Sequence, residues 1–253
     1  MKKIITFLLG LTALVALAAC GGNGDNGDYI VFTIGASSVP HAQILAQAAP
    51  LMLEEGFVLE IVEFDDFVLP NIALRDGAVD ANFFQHRPFL ANFNANHGTD
   101  LVPVFGVHFE PLRLYAGRLY SLDDITSGAT IAIPDDPSNE ARALQLLDDL
   151  ELNRNDLNIT PLAAELLPRI LPDVDFAVIN GNFALQGGVF YRNIYGAAEA
   201  DESEAAENFT NFVVVRAGYE DNKALQALIR AISSDVVRQF IHDEYLGRIV
   251  PQF

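Results

Sequence analysis

Val79-Asp80-Ala81-Asn82-Phe83-Phe84-Gln85-His86-Arg87-Pro88-Phe89-Leu90-Ala91-Asn92-Phe93-Asn94-Ala95-Asn96-His97-Gly98 changes period partway along. Val79 to Phe84 reads as a short strand. Pro88 to Asn96 reads as a helix, ended by Gly98. The same unit recurs on both sides. Upstream, Tyr29 to Ala36 is β-rich and leads through Ser37-Ser38 to Pro40, which a first helical turn tolerates. His41 to Glu55 reads as a helix stopped by Gly56, Phe57 to Phe64 as a strand, and Asp65 to Arg75 as a helix closed by Asp76-Gly77. Downstream, Leu101 to Tyr115 holds two extended runs around Glu110-Pro111. The pattern restarts with a strand at Thr130 to Ile133, a Pro134-to-Ser138 turn and a helix from Asn139 to Leu150. Weaker strand character follows at Asn158 to Leu162. Phe176 to Ile179 and Phe212 to Val215 read as strands, and Asn222 to Tyr245 as one or two helices. The acidic stretch Ala197 to Glu207 reads as a surface loop. Strands alternating with helices argue for parallel α/β units.

Two such blocks of similar strand count imply two lobes. Sites in these sheets lie beyond the carboxyl ends of strands. The stretches to inspect are therefore Ser37-Ser38, Phe83 to His86, Glu110, Pro134 to Arg142 and Asn180 to Asn182.

Composition narrows the function. In 253 residues, hydrophobic types make up 51% and charged types 19%, enough for a folded core. The formal net charge of -19 opposes binding to phosphate backbones or anionic headgroups, so nucleic acid is not expected as a partner. Beyond Lys2 and Lys3 the only lysine is Lys223, so cationic chemistry falls mainly to Arg, whose planar fork suits carboxylates. No Gly-x-Ser-x-Gly, Walker or Gly-x-Gly-x-x-Gly motif is present, and no enzyme activity is expected. The paired acids Asp65-Asp66, Asp123-Asp124 and Asp148-Asp149 read as solvated faces or caps. The histidines, His41, His86, His97, His108 and His242, include no tight pair, whereas a zinc site needs three or four convergent ligands, so metal capture ranks low.

The N-terminus reads as an address. Lys2-Lys3 precede an apolar run, Ile4 to Ala19, too short to span a bilayer comfortably. It ends in Leu17-Ala18-Ala19-Cys20, the pattern of a bacterial lipoprotein signal. Residues 1–19 would be removed and Cys20, the only cysteine, lipidated. Gly21 to Asp28 reads as a flexible tether.

Many ordered stretches make the chain recognisable. They include Pro40-His41-Ala42, Leu69-Pro70-Asn71, Asp80 to Leu90, His97 to Val102, Glu110-Pro111, Ala129 to Pro134, Asn139 to Leu144, Leu167-Pro168-Arg169 and Ala177 to Ala184. With them the sequence resembles the NlpA-type methionine-binding lipoproteins, substrate-binding proteins of ABC importers. The resemblance implies a two-lobed periplasmic-binding-protein fold, each lobe a mostly parallel sheet flanked by helices, with ligand in the cleft. Lobe 1 would comprise residues 29–110 and 216–253, and lobe 2 residues 111–215. It also implies a monomer held at the extracytoplasmic face of the membrane by its lipid, with an ABC permease and its ATPase as partners and no cofactor. Family members often carry Tyr where this chain has Phe67, Phe89 and Phe183, and the segment Leu152 to Leu162 is shortened here.

An α-amino acid needs a planar cation for its carboxylate, acceptors for its ammonium and a pocket for its side chain. Arg142, expected in the first turn of its helix, is the carboxylate candidate. Glu110 is the ammonium candidate, with Asn180 and Asn211 able to donate and accept. Phe83, Phe84, Phe89 and His86 would form an aromatic wall suited to a thioether. Successive strand residues face opposite ways, so Phe83 and Phe84 share the cleft only if the strand has already ended. The resemblance adds Phe67, Asn71 and Asn139 to the binding set. The cargo expected is methionine, with L and D forms not separated. Another amino acid, a small peptide, a metal, or a role as a surface adhesin are the alternatives.

Overall fold

The computed structural model describes residues 29–189, 194–198 and 204–253. The signal, Cys20 and the tether lie outside the described residues. Two mixed sheets carry the architecture. The first has the order β11-β4-β10-β3-β1-β2 and the second β7-β6-β8-β5-β9.

In the first, β1 (Ile30–Ser37) leads through a single wide helical turn, Ser38–Ala42, into α1 (Gln43–Glu54). β2 (Phe57–Phe64), α2 (Leu69–Arg75), β3 (Ala81–His86), α3 (Arg87–His97) and β4 (Val102–Phe109) follow. The expected helix from Asp65 starts late because the Asp66 carboxylate accepts the N–H groups of Val68 and Leu69, a cap that sets the first turn at Leu69. After β4 the chain crosses at Glu110-Pro111 to the second sheet. That sheet is built from β5 (Arg113–Ala116), β6 (Thr130–Pro134), α4 (Pro137–Asp149), β7 (Asn158–Leu162), α5 (Leu167–Ile170), β8 (Phe176–Ile179), α6 (Gly181–Gln186) and β9 (Ile194–Ala198). α7 (Glu204–Asn208) leads back into β10 (Thr210–Val215). The chain ends with α8 (Lys223–Ile232), α9 (Asp235–Tyr245) and β11 (Val250–Pro251), which pairs with β4.

Three expectations need correction. β1 pairs in parallel with β2 and β3, and β6 with β7 and β8, but β4, β5, β9, β10 and β11 pair antiparallel. The sheets are therefore mixed rather than mostly parallel, because the strands flanking the crossings run against the α/β units. β10 lies between β4 and β3 of the first sheet, so Thr210–Val215 belongs with lobe 1 and not with residues 111–215. The acidic stretch read as a loop ends in a helix, α7, whose Ala206 is buried and accepts a hydrogen bond from Thr210 Oγ1.

Each sheet is covered on both faces. α1, α8 and α9 bury Ile44, Leu45, Leu225, Leu228 and Ile241 against Phe32, Ile34 and Val213. Opposite, Leu74, Leu90 and Phe93 of α2 and α3 pack on Val214. In the second lobe α4 covers one face and α5 and α6 the other. Asn222 caps α8, accepting from the N–H groups of Ala224 and Leu225. We expect Leu228→Ala, at a site with no exposed surface, to cost about 2–5 kcal/mol. A shift of the urea midpoint, measured against wild type, checks this.

Candidate functional site

The crossing between the sheets and the strand ends beside it enclose a cavity. Lobe 1 contributes Phe67, Phe84, Gln85, His86, Phe89 and Asn211. Lobe 2 contributes Asn139, Arg142, Asn180, Gly181 and Asn182, and Glu110 sits on the crossing itself.

On the lobe 1 side, β3 runs through to His86, two residues further than its hydrophobic pattern suggests. Strict alternation would turn one of Phe84 and Gln85 away. The pairing with β10 slips here: Val213 faces Phe83 and Phe212 faces Gln85. Such a bulge re-aims side chains, and Phe84, Gln85 and His86 all line the cavity. Phe83 does not. It is fully buried in the lobe 1 core, edge-on to His41 at 4.6 Å and to His108 at 5.4 Å. Asn71 is also displaced from its expected role. It lies behind the cavity, donating to Gln85 Oε1 and accepting from Gln85 Nε2 and Asn82 Nδ2.

The apolar end of the cavity is phenylalanine throughout. Phe67 stands 5.9 Å from Phe84, 5.8 Å from Phe89 and 4.7 Å from Phe183, centroid to centroid. His86 caps α3 by accepting the Phe89 N–H at Nδ1, which leaves its proton on Nε2 to donate to Asn139 Oδ1 across the lobes at 3.1 Å. Burial and the nearby Arg142 charge lower the His86 pKa to about 4, so it stays neutral.

On the lobe 2 side, α4 begins at Pro137, capped by Asp136, which places Arg142 in the second helical turn rather than the first. Arg142 is buried. Its Nη2 donates to the Glu110 carbonyl at 2.8 Å, and its guanidinium lies 4.3 Å from the Phe209 ring centroid. Asn180 donates to Asn139 Oδ1 at 3.0 Å. Asn180 Oδ1 and Asn182 Nδ2 are buried with no hydrogen-bond partner among the described residues. Buried orphans of this kind are costly unless a ligand completes them.

Glu110 is buried, and its carboxylate accepts from His108 Nε2 at 2.8 Å and from the Asn182 N–H at 2.7 Å. Burial, the largest single influence, pushes its pKa up. The His108 hydrogen bond, the His41 and His108 rings and the Asn182 N–H outweigh it, and the carboxyl is held below its usual range. Gly181 permits this approach, since a Cβ there would stand 2.9 Å from Glu110 Oε2. Asn211 Oδ1 lies 3.2 Å from His41 Nε2.

His41, His108 and Glu110 present ligand atoms within 4.8 Å of one another, a convergence that the separated histidines of the sequence did not signal. The donor set fits hydrogen bonding better than a metal. A metal-bound imidazole ordinarily has its second nitrogen anchored, and His108 Nδ1 has no partner among the described residues.

Nine of the eleven expected binding residues thus line one cavity, Phe83 and Asn71 being the exceptions. Gln85, Gly181 and Asn182 line it as well. They fall in strand-end stretches, but no periodicity separates them from their neighbours.

The model of the family described as NlpA lipoprotein matches residues 32–253. The chain belongs to the NlpA lipoprotein family. It is 38% identical to the membrane lipoprotein TpN32 of Treponema pallidum, over 85% of each chain. It is 31% identical to the methionine-binding lipoprotein MetQ of Bacillus subtilis, over 86% of each. Among solved structures, a nutrient binding protein from Burkholderia cenocepacia bound to methionine superposes with a TM-score of 0.82 at 32% identity, covering 88% of this chain and all of that one. NlpA-family chains of this kind are binding proteins, not enzymes. Among the described residues no helix is long and apolar enough to cross a membrane.

The buried histidines give the fold a pH dependence. Burial, against the opposing pull of the Glu110 carboxylate and helped by the neighbouring His108, lowers His41 to about 3, from 6.5 for a free histidine. Between those values the unfolded chain binds a proton that the folded chain refuses. Stability is therefore full above about pH 6.5 and falls on acidification, by up to ~1.4 kcal/mol per pH unit for each such histidine. We expect the urea midpoint to drop between pH 7 and pH 5, and to drop less in His86→Asn.

Proposed function

We propose that this chain is the lipid-anchored, extracytoplasmic substrate-binding component of an ABC importer, and that its cargo is methionine. One observation carries the reading. The cavity sets a buried carboxylate and a buried guanidinium beside orphaned amide atoms, with an all-phenylalanine wall next to them. A zwitterionic amino acid with an apolar side chain matches that arrangement group for group.

In this reading Arg142 grips the ligand carboxylate. Glu110 and Asn180 Oδ1 accept from the ammonium, and Asn182 Nδ2 and Asn211 complete the polar shell. Phe67, Phe84 and Phe89 enclose the side chain, where aromatic edges favour a thioether by ~0.3–1.5 kcal/mol per contact. His86 and Asn139 hold the lobes together over the bound molecule. The methionine-bound neighbour from Burkholderia cenocepacia and the name of the Bacillus subtilis relative support the choice of cargo. Ligand bridging the lobes would favour closure, a hinge motion at the crossing strands. The closed form, a monomer, would dock on a permease whose ATPase drives release. Cys20, lipidated after removal of residues 1–19, would hold the body at the membrane through the 20–28 tether.

Titration of refolded protein with L- and D-methionine by calorimetry tests the cargo. We expect one-to-one saturation, and Arg142→Ala to weaken it by about 2–5 kcal/mol, a loss of thirtyfold or more, because a buried charge loses its partner. Affinity unchanged in Arg142→Ala would remove the carboxylate assignment. For the anchor, we expect the full chain expressed in bacteria to partition into detergent, and Cys20→Ser to move to the aqueous phase.

A further inference from the structure

Ser37, His41 and His108 do not line the cavity, but they form a chain of side chains that reaches two residues that do, Glu110 and Asn211. Ser37 Oγ stands 2.6 Å from His41 Nδ1. His41 Nε2 faces Asn211 Oδ1 at 3.2 Å and Glu110 Oε1 at 3.5 Å. His108 Nε2 lies 2.8 Å from the same Glu110 oxygen. Phe83 sits against both imidazoles, whose centroids are 4.9 Å apart. All five polar residues, Ser37, His41, His108, Glu110 and Asn211, are buried.

The geometry sets the proton positions. Glu110 Oε1 and Asn211 Oδ1 are acceptors, so His41 must carry its proton on Nε2. Its bare Nδ1 then accepts the Ser37 hydroxyl proton. His108 likewise donates from Nε2. Each imidazole thus turns an N–H from Nε2 toward the carboxylate or its neighbour.

We propose that His41 and His108 are positioning residues, which aim the Glu110 carboxylate into the cavity as the receptor for the ligand's ammonium, with Ser37 setting the orientation of His41. This rests on the amino-acid reading above and adds the residues that make its ammonium site work. A buried carboxyl stripped of these donors would take up a proton. A protonated carboxyl has lost the charge that attracts an ammonium and turns one of its two oxygens into a donor, leaving only a weaker neutral acceptor. The two histidines thus do for Glu110 what water would do at a surface, without opening the site to water. The other ionisable groups near Glu110 are Arg142, whose Nη2 bonds the Glu110 carbonyl, His86, which shares the cavity and is held neutral by burial, and Tyr115, buried and held neutral.

The test compares wild type, His108→Phe and His108→Gln. L-methionine is titrated by calorimetry at pH 7.5 and 5.5, with folding checked by circular dichroism. In parallel, the Glu110 carboxyl is titrated by carbon NMR in ligand-free, glutamate-labelled protein, with Glu110→Gln identifying its signal. We expect His108→Phe to bind at least tenfold more weakly at pH 7.5 and weaker still at pH 5.5, with its Glu110 carboxyl titrating at higher pH than in wild type. His108→Gln keeps an N–H donor and is expected to recover most of the affinity. If His108→Phe does not fold, Ser37→Ala carries the test, with an expected loss of several-fold and the same pH trend. The proposal is overturned if the folded variants bind within twofold of wild type at both pH values. It is also overturned if His108→Gln is as weak as His108→Phe while the Glu110 titration stays where it is in wild type. A wild type that titrates normally at Glu110 but gives no heat with methionine overturns the choice of cargo instead.

Discussion

A carboxylate withdrawn from water between two sheets is stable only if its oxygens are met by donors. Glu110 occupies that position, on the short crossing between β4 and β5. Its oxygens are met from both lobes, by His108 at the end of β4 and by the Asn182 N–H at the start of α6. Its own carbonyl is met by Arg142 from α4. Much of the local design follows from this one group. Gly181 has no side chain because one would collide with Glu110. His41 and His108 are buried with their Nε2 atoms turned toward its carboxylate. The lobes meet where they do because both reach the same residue.

The cavity around this carboxylate divides into two halves of opposite character. Towards α4 and α6 it is polar, with amide atoms that the protein leaves incomplete. Towards α2 and α3 it is aromatic, with no hydroxyl among Phe67, Phe84 and Phe89. A ligand that is charged at one end and apolar at the other satisfies both halves. A purely polar or purely apolar one leaves one of them unmatched. These rings exclude water without offering a hydrogen bond, which narrows the apolar end to shape and polarisability.

Several features were legible in the residues themselves. The change of period between Phe84 and Pro88, repeated from Thr130 to Leu150, shows alternating strands and helices because apolar spacing is local. Arg142 stood out because it follows the helix opening at Pro137-Ser138-Asn139, inside one of the stretches that carry the family resemblance. Phe83 misled because strand alternation alone does not reveal a bulge, which depends on how β10 pairs from a point more than a hundred residues later. Asn71 misled because an amide reads the same whether it meets a ligand or another amide, here Gln85.

Local pattern by itself determined the α/β class, the two blocks and the strand ends where a site would form. Those depend on propensity, period and turn chemistry, which act over a few residues. Only the tertiary structure decided that β10 belongs to the first sheet, that His41, His108 and Glu110 converge, and that Asn180 and Asn182 are left with orphaned atoms. Those depend on contacts between segments far apart in the chain, such as His41 with Asn211, which nothing in the spacing of either residue announces.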